Sequence, residues 1–255
     1  MRSSWSPARY EKFKLQRAKP FYDLVKMIQK EEFGCGIDLG CGTGELTREL
    51  FNEIQPRELT GVDSSPEMLD RSARFRIPGL DFELQDIAEY RPKNALDLVF
   101  SNAALHWLPA HEVLIPKILN WVSPGGQVAI QMPFNFDHPS HWLAKGVAVS
   151  LFPDVFSAEE KMAAVLPVEQ YAEILFERGF EDQICRVEVY GHSMPSGEDV
   201  VEWTRGTLLT AYQSRLSGED FERFLAKYRT ELLKKIGTGP YFYAFKRILI
   251  WGRKK

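Results

Sequence analysis

Long apolar runs are missing from this chain of 255 residues; no stretch approaches the length needed to cross a bilayer. Positive charge is not in excess either. Lys and Arg number 32 against 35 Asp and Glu, a formal net charge of −3, so neither a nucleic-acid nor a membrane-surface partner is expected. The basic ending Arg253-Lys254-Lys255 is short enough to be a solvated terminus. Cysteine is scarce. Cys35, Cys41 and Cys185 have no metal-ligand spacing, which predicts no metal site, and their odd number fits a reduced compartment. The opening Met1-Arg2-Ser3-Ser4-Trp5-Ser6-Pro7 lacks the apolar segment of a secretory signal, so a cytoplasmic protein is expected. Internal repeats and low-complexity linkers are also wanting. What the chain does have is 44% hydrophobic and 26% charged residues, enough to bury a full core in one large domain or in a domain with an insertion.

The run Gly36-Ile37-Asp38-Leu39-Gly40-Cys41-Gly42-Thr43-Gly44-Glu45-Leu46-Thr47 is the most informative stretch. Apolar residues leading into Asp38 predict a buried parallel strand, and three closely spaced glycines allow a sharp turn and a close backbone approach to a ligand. A helix is expected from Glu45 to Phe51. The next strand, Leu59–Asp63, ends in a carboxylate where a doubly wound fold sets an acid against ribose hydroxyls. Gly40, Gly42 and Gly44 are spaced G-x-G-x-G, whereas a dehydrogenase fingerprint is G-x-G-x-x-G. An anionic Asp38 is unhelpful beside a pyrophosphate and suits a ligand carrying an ammonium and a sulfonium. With Asp86 after the third strand as a reader of adenine, the loop and its three acids point to S-adenosylmethionine, converted to S-adenosylhomocysteine, with no metal.

Elsewhere the pattern alternates strand and helix. Residues Ala8 to Gln29 read as helical, punctuated by Pro20. Ser65 and Pro66 open a helix to about Phe75 as N-cap and first-turn proline. Strands are predicted at Cys35–Leu39, Leu59–Asp63, Leu80–Leu84, Leu96–Ser101 and Gln127–Met132, with further ones at Ile184–Tyr190 and Tyr241–Trp251. The last would run antiparallel. Val168 to Arg178 is an amphipathic helix stopped by Gly179, and Ser196 to Ile236 a long helical excursion. The expected fold is α/β and Rossmann-like, a doubly wound, mostly parallel sheet with an antiparallel last strand and an inserted helical cap. By this reading residues 1–30 form a helical lid, 31–133, 167–193 and 239–255 the core, and 134–166 and 194–238 the cap over a substrate pocket.

Several segments carry a resemblance. Asp38-Leu39-Gly40-Cys41-Gly42-Thr43-Gly44 is generic to class I methyltransferases. Gly61-Val62-Asp63-Ser64-Ser65-Pro66-Glu67-Met68, Ser101-Asn102-Ala103-Ala104-Leu105-His106-Trp107-Leu108-Pro109, Gln131-Met132-Pro133 with Asn135, and Pro139-Ser140-His141 are more specific. With Trp5-Ser6-Pro7, Tyr10, Phe13, Arg17 and Pro20 at the start, and Arg229 and Phe245–Arg253 near the end, they resemble the trans-aconitate 2-methyltransferase family over nearly the whole chain. The resemblance implies carboxyl O-methylation of a small polycarboxylic acid. One departure stands out. The family usually has an arginine, in a Gly-Leu-Arg-Pro context, where this chain has Thr210, so a guanidinium suited to a substrate carboxylate is missing there.

The candidate cofactor residues are Arg17, Asp38, Gly40, Gly42, Gly44, Asp63, Ser64, Met68, Asp86, Ile87 and Asn102. Bland readings stand beside these: Asp38 as a cap of the glycine turn, Asp86 as an N-cap, Ile87 as core, Arg17 as a solvated helix residue. His106 is either a general base or carboxylate donor, or a hydrogen-bonding loop residue; Trp107 walls the pocket. Both are positioning candidates, because a carboxylate nucleophile needs no obligatory base. Gln131, Asn135, His141, Arg205, Tyr212, Arg229 and Tyr241, with Arg247, are the acceptor-side candidates, while Tyr241-Phe242-Tyr243-Phe245 otherwise reads as sheet core. The loops Asn102–Pro109 and Gln131–His141 would form the pocket with the cap. Rival readings are a methyltransferase for a fatty acid, an acyl-carrier-linked acid or a phenolic metabolite, or a non-catalytic S-adenosylmethionine-binding protein. The expected partner is a small acid, and the expected assembly a monomer or weak dimer.

Overall fold

The computed structural model describes residues 18–29, 31–158 and 165–255. They form two compact units: the described residues of Met1–Pro133, Ala164–Glu188 and Arg247–Lys255, and those of Phe134–Ala163 and Val189–Lys246.

The strands are β1 (Cys35–Leu39), β2 (Glu58–Asp63), β3 (Leu80–Leu84), β4 (Leu96–Asn102), β5 (Val122–Pro133), β6 (Asp182–Met194) and β7 (Tyr241–Arg253). They form a seven-stranded sheet in the order β3-β2-β1-β4-β5-β7-β6. From β3 to β5 every pairing is parallel, and β7 runs antiparallel to β5, with Gln127 opposite Arg253 and Pro133 opposite Arg247. The central strands are apolar because both their faces are covered: Ile37, Leu39, Leu98, Val99, Phe100, Val128, Ala129 and Ile130 are all buried. Strand order reverses direction between β1 and β4. A doubly wound sheet opens its ligand crevice at the carboxyl ends of the strands flanking that reversal.

The helices of the first unit are α1, helical at residues 18–25, α2 (Glu45–Ile54), α3 (Pro66–Ser72), α4 (His111–Leu119) and α6 (Val168–Glu177). The hydroxyl of Ser65 accepts from the Met68 amide and Pro66 occupies the first turn, so α3 starts as its sequence predicts. A 3-10 turn, Ala73–Phe75, then carries the segment to the expected end.

The second unit holds α5 (Pro139–Leu151), α7 (Gly197–Arg205), α8 (Thr210–Gln213) and α9 (Gly218–Ile236). The long excursion expected over 196–236 is therefore three helices. Gly206 closes α7, and the Ser217 hydroxyl accepts from the Asp220 amide to start α9 afresh. Phe221, Phe224 and Tyr228 line one buried face of α9, and the Tyr228 hydroxyl meets Thr204 Oγ1 at 3.0 Å.

One buried amide ties the segment after α1 to the sheet. Gln127 Oε1 accepts from the Gln29 amide at 2.9 Å and from Trp251 Nε1 at 2.8 Å. Its Nε2 donates to the Gln29 carbonyl at 2.9 Å and to Glu31 Oε1 at 2.6 Å. Gln127→Leu keeps the volume and removes all four bonds. We expect a loss of about 3 kcal/mol in chemical denaturation, because several groups are left unpaired at roughly 1–3 kcal/mol each; a loss below about 1 kcal/mol would mean that solvent replaces the amide.

Candidate active site

The glycine loop after β1 is held by its neighbours. Gly40 and Cys41 donate their amides to the Val62 carbonyl at 2.8 and 3.0 Å. Asp63, at the end of β2, accepts from the Gly42 amide at 2.9 Å through one carboxylate oxygen and from the Ser65 amide at 2.9 Å through the other. Asp63 thus fixes the loop, and a carboxylate with about four acceptor positions still has lone pairs left for hydroxyl donors. Gly40 has φ +78°, and a Cβ there would lie 2.1 Å from the Ala104 methyl. At Gly42, also at positive φ, an added Cβ would meet nothing within 4 Å, so the loop is open on that side.

Asp38 lies at the carboxyl end of β1, buried, with Thr47 Oγ1 donating to it at 2.6 Å. Burial pushes its carboxyl up to about 7; the Thr47 hydroxyl pulls it down, and the Asp63 charge adds to the rise. Among the described residues its hydrogen-bond partner is a hydroxyl, and a cationic ligand beside it would relieve the desolvated charge. These residues fit S-adenosylmethionine: an open, amide-lined turn and a buried acid. Among the described residues no group of three or more His, Cys, Asp and Glu is arranged to hold a metal ion.

Asp86 follows β3, exposed, and accepts from the Ala88 amide at 2.8 Å, so it caps the following turn. Ile87 is buried, while Ser64 and Met68 are exposed. The first 17 residues of the expected lid, Arg17 among them, lie outside the described residues.

A second group gathers at the carboxyl ends of β4 and β5 and the middle of β7. Gln131 Nε2 donates to Asn102 Oδ1 at 2.6 Å, and Arg247 Nη1 donates to Gln131 Oε1 at 2.9 Å. Beyond Asn102 the backbone enters the left-handed region at Ala103 (φ 55°), and its amide is tied to the Gln131 carbonyl at 2.8 Å. The 3-10 turn Leu105–Trp107 follows. Burial, then the charges of Arg247 and His111, lowers the His106 imidazole to about 3, so it is neutral at any physiological pH. Its Nδ1 is buried without a hydrogen-bond partner among the described residues. Trp107 leans on the His106 ring at 4.6 Å between centroids and is 57% exposed.

The turn is anchored from behind by residues that the sequence reading did not single out. His111 Nε2 meets the Leu105 carbonyl at 2.9 Å and its Nδ1 meets the Tyr171 hydroxyl at 2.6 Å, which in turn accepts from the Leu166 amide at 3.0 Å. Because the Leu105 carbonyl can only accept, the proton of the neutral imidazole is on Nε2, and Nδ1 accepts from the Tyr171 hydroxyl. Thr47, the partner of Asp38, was likewise missed. Only the tertiary arrangement brings these pairs together.

In the second unit Asn135, His141 and Tyr241 belong to one polar network, buried at Asn135 and His141. Asn135 Nδ2 donates to the Tyr243 hydroxyl at 3.3 Å and its Oδ1 accepts from the Lys246 amide at 3.1 Å. Ser140 Oγ meets His141 Nδ1 and the Tyr243 hydroxyl, each at 3.0 Å, and His138 Nε2 meets the Tyr241 hydroxyl at 2.9 Å. Burial lowers both His138 and His141 to about 4. The remaining candidates are engaged separately. Arg205 pairs with Glu222 at 3.5 Å, Arg229 forks onto Glu198, and the Tyr212 ring stacks on Phe224 at 5.1 Å.

Comparison with known proteins agrees with this geometry. Residues 37–126 match a family model described as a methyltransferase domain. The trans-aconitate 2-methyltransferase of Deinococcus radiodurans is 38% identical over 251 residues, covering 96% of both chains. That of Escherichia fergusonii is 36% identical over 256 residues, 99% of both. Among solved structures, the YcgJ protein of Bacillus subtilis superposes with a TM-score of 0.62 at 13% identity, covering 93% of this chain and 98% of that one. Phosphoethanolamine N-methyltransferase 2 of Haemonchus contortus, solved with S-adenosylhomocysteine, gives 0.56 at 18% identity over 92% of this chain and 52% of its own. At such identities these structures speak for the fold alone.

The raised Asp38 carboxyl makes a signed prediction. Its folded-state value, about 7, lies above the reference 3.8, so folding favours the protonated form, and this stabilisation is lost as pH rises through about 7. Asp38→Asn keeps the shape without the charge. In the donor-free protein it should raise the melting temperature at pH 8 by at least about 2 °C and by clearly less at pH 5. The same substitution should weaken S-adenosylmethionine binding at pH 8, and wild-type affinity should fall as pH drops through about 7. Calorimetric titration across that range reads both effects; a pH-independent affinity would remove Asp38 from the donor site.

Proposed function

The chain belongs to the trans-aconitate 2-methyltransferase family and is a methyltransferase using S-adenosylmethionine; from that premise we propose that it methylates a carboxylate of trans-aconitate or a closely similar small polycarboxylic acid. The observation that carries the choice of an anionic acceptor is the Asn102–Gln131–Arg247 group, a guanidinium fixed at the carboxyl edge of the sheet beside a neutral histidine.

When bound, S-adenosylmethionine supplies a methyl group on a sulfonium; transfer forms an O–CH3 bond to the acceptor and breaks the S–CH3 bond, whose electron pair stays on sulfur in S-adenosylhomocysteine. On the donor side, we assign Asp38 to the cationic part of the ligand, Asp63 to the ribose hydroxyls, and Gly40, Gly42 and Gly44 to the close backbone approach. Asp86 and Ile87 are assigned to the adenine. On the acceptor side the protein has a positioning task. A carboxylic acid with a reference pKa of roughly 4 is already ionised at neutral pH, so no residue has to remove a proton. The chain must hold the nucleophile in line and keep water out. His106 serves as an uncharged N–H donor and Trp107 as the adjoining wall. The enzyme would act as a monomer or weak dimer in the cytoplasm, with no nucleic-acid or membrane partner; its net charge of −3 supports that reading. Among the described residues no helix is long and apolar enough to cross a membrane.

Transfer of a labelled methyl group to a panel of di- and tricarboxylic acids, fatty acids and phenols, with products identified by mass spectrometry, tests the proposal. Trans-aconitate should be the best acceptor, and its product an ester. With the donor saturating, kcat should be flat from about pH 5.5 to 8.5, because both the acceptor acid, at roughly 4, and His106 titrate below that range. His106→Gln should raise KM for the acid and lower kcat by less than about tenfold, below the roughly 10²–10⁴-fold of a lost general base. A rising acid limb that disappears in His106→Gln would make His106 a general base and point to a phenolic acceptor.

A further inference from the structure

The hydrogen-bonded group at the carboxyl ends of β4 and β5 and the middle of β7 has a polarity that chemistry alone dictates. A guanidinium has N–H donors and no acceptor, so the atom of Gln131 facing Arg247 must be its oxygen. The Gln131 nitrogen is then left to face Asn102, and only the Asn102 oxygen can receive it. Asn102 is thereby fixed with its oxygen inside the chain of bonds and its NH2 outside. The orientation of both amides follows from Arg247, which removes the usual ambiguity of amide ends.

Strand register builds this arrangement. Asn102 lies opposite Gln131 in the parallel β4–β5 pair, and Arg247 lies opposite Pro133, two residues beyond Gln131, in the antiparallel β5–β7 pair. Residues two apart on a strand share a face, so the three side chains fall on one side of the sheet at its carboxyl edge. Gln131 is buried, so its amide is shielded from water that would otherwise compete for these bonds. The turn carrying His106 follows directly from Asn102 and Ala103, and the buried His106 Nδ1 has no partner among the described residues.

We propose that Gln131 is a specificity-determining residue. It transmits the fixed donor polarity of Arg247 to Asn102, so that the acceptor edge of the site offers N–H groups to a carboxylate and disfavours neutral or cationic acceptors. The inference rests on the proposed carboxylate acceptor and deepens it. Gln131 positions, whereas Arg247 and the Asn102 NH2 make the contacts. An outward-facing Asn102 oxygen would repel the same carboxylate, so the direction of one buried amide decides between attraction and repulsion.

Gln131→Glu tests this directly. Glutamate keeps a partner for Arg247 but cannot donate to Asn102, which turns its NH2 inward and its oxygen out. Tricarballylate, a saturated tricarboxylate, serves as the binding probe in the presence of S-adenosylhomocysteine, read by calorimetry beside methyl transfer to trans-aconitate. We expect Kd for tricarballylate to rise at least about tenfold in Gln131→Glu, as befits charge-assisted bonds, while Kd for S-adenosylhomocysteine stays within about twofold. The preference for the tricarboxylate over its neutral trimethyl ester should shrink in parallel, a change that a merely structural role would not produce. If Gln131→Glu also loses S-adenosylhomocysteine, Arg247→Lys carries the test, since it keeps the charge, loses the planar fork and should still weaken the acid selectively. Unchanged tricarballylate binding in both variants overturns the inference and leaves the proposed function standing wherever the wild type turns over. Wild-type binding without methyl transfer, lost in Gln131→Glu, overturns the proposed acceptor and keeps the inference. A wild type that binds no di- or tricarboxylate overturns both.

Discussion

The loops after β1 and β4 meet where Gly40 lies against Ala104, and the site depends on that contact. Nothing larger than hydrogen fits at position 40, since a Cβ there would sit 2.1 Å from the Ala104 methyl. The left-handed φ of Gly40 lets the backbone turn at the end of β1, and the left-handed φ of Ala103 lets it turn at the end of β4. These two irregular positions, on strands that are neighbours at the reversal of the sheet, bring the donor-side loop and the acceptor-side turn to one edge. Asp63 then clamps the first loop from β2, and His111 with Tyr171 braces the turn from behind.

The two proposed sides differ in electrical character. The donor side has the buried Asp38 carboxyl, raised to about 7 and bonded to a hydroxyl, and the acceptor side has fixed N–H donors and a histidine kept neutral by burial. Transfer of a methyl group from a sulfonium to a carboxylate joins a cation to an anion and leaves two neutral groups. Strong solvation of either ion would stabilise the ground state over a transition state in which the charges are already fading. A site that holds a few oriented dipoles in a dry setting, with one guanidinium tied through an amide, avoids over-stabilising the nucleophile. The neutrality of His106 belongs to that logic: a protonated imidazole would bind the acid more tightly and lower its reactivity.

Much of the donor half was legible in the sequence, because its signals are local. The strands Cys35–Leu39 and Leu80–Leu84 keep the expected bounds, and Ser65 and Pro66 open their helix as their chemistry requires. The proposed acceptor half was only partly legible. Gln131 and Arg247 stood out as acceptor-side candidates and Asn102 as a cofactor candidate, but their union depends on register between strands separated by 29 and 116 residues, which no local periodicity encodes. The excursion over 196–236 looked continuous because Gly206 and Ser217 differ little from ordinary helix residues until their capping bonds are seen. Arg205 and Arg229 looked equivalent to Arg247 in sequence. Structure separates them, since both face exposed carboxylates on neighbouring helices while Arg247 donates to a buried amide.

Thr210 bears on how acceptor charge is met. It is exposed at the first turn of α8, and its hydroxyl donates to the Thr207 carbonyl at 2.6 Å, so it serves the local backbone and brings no charge. The proposed acceptor side takes its cationic contribution from Arg247, and the N–H groups of Asn102 and His106 contribute direction but no net charge. Selectivity under that arrangement comes from the geometry of the bound carboxylate more than from total charge, because only a planar, bidentate acceptor uses a guanidinium fork fully.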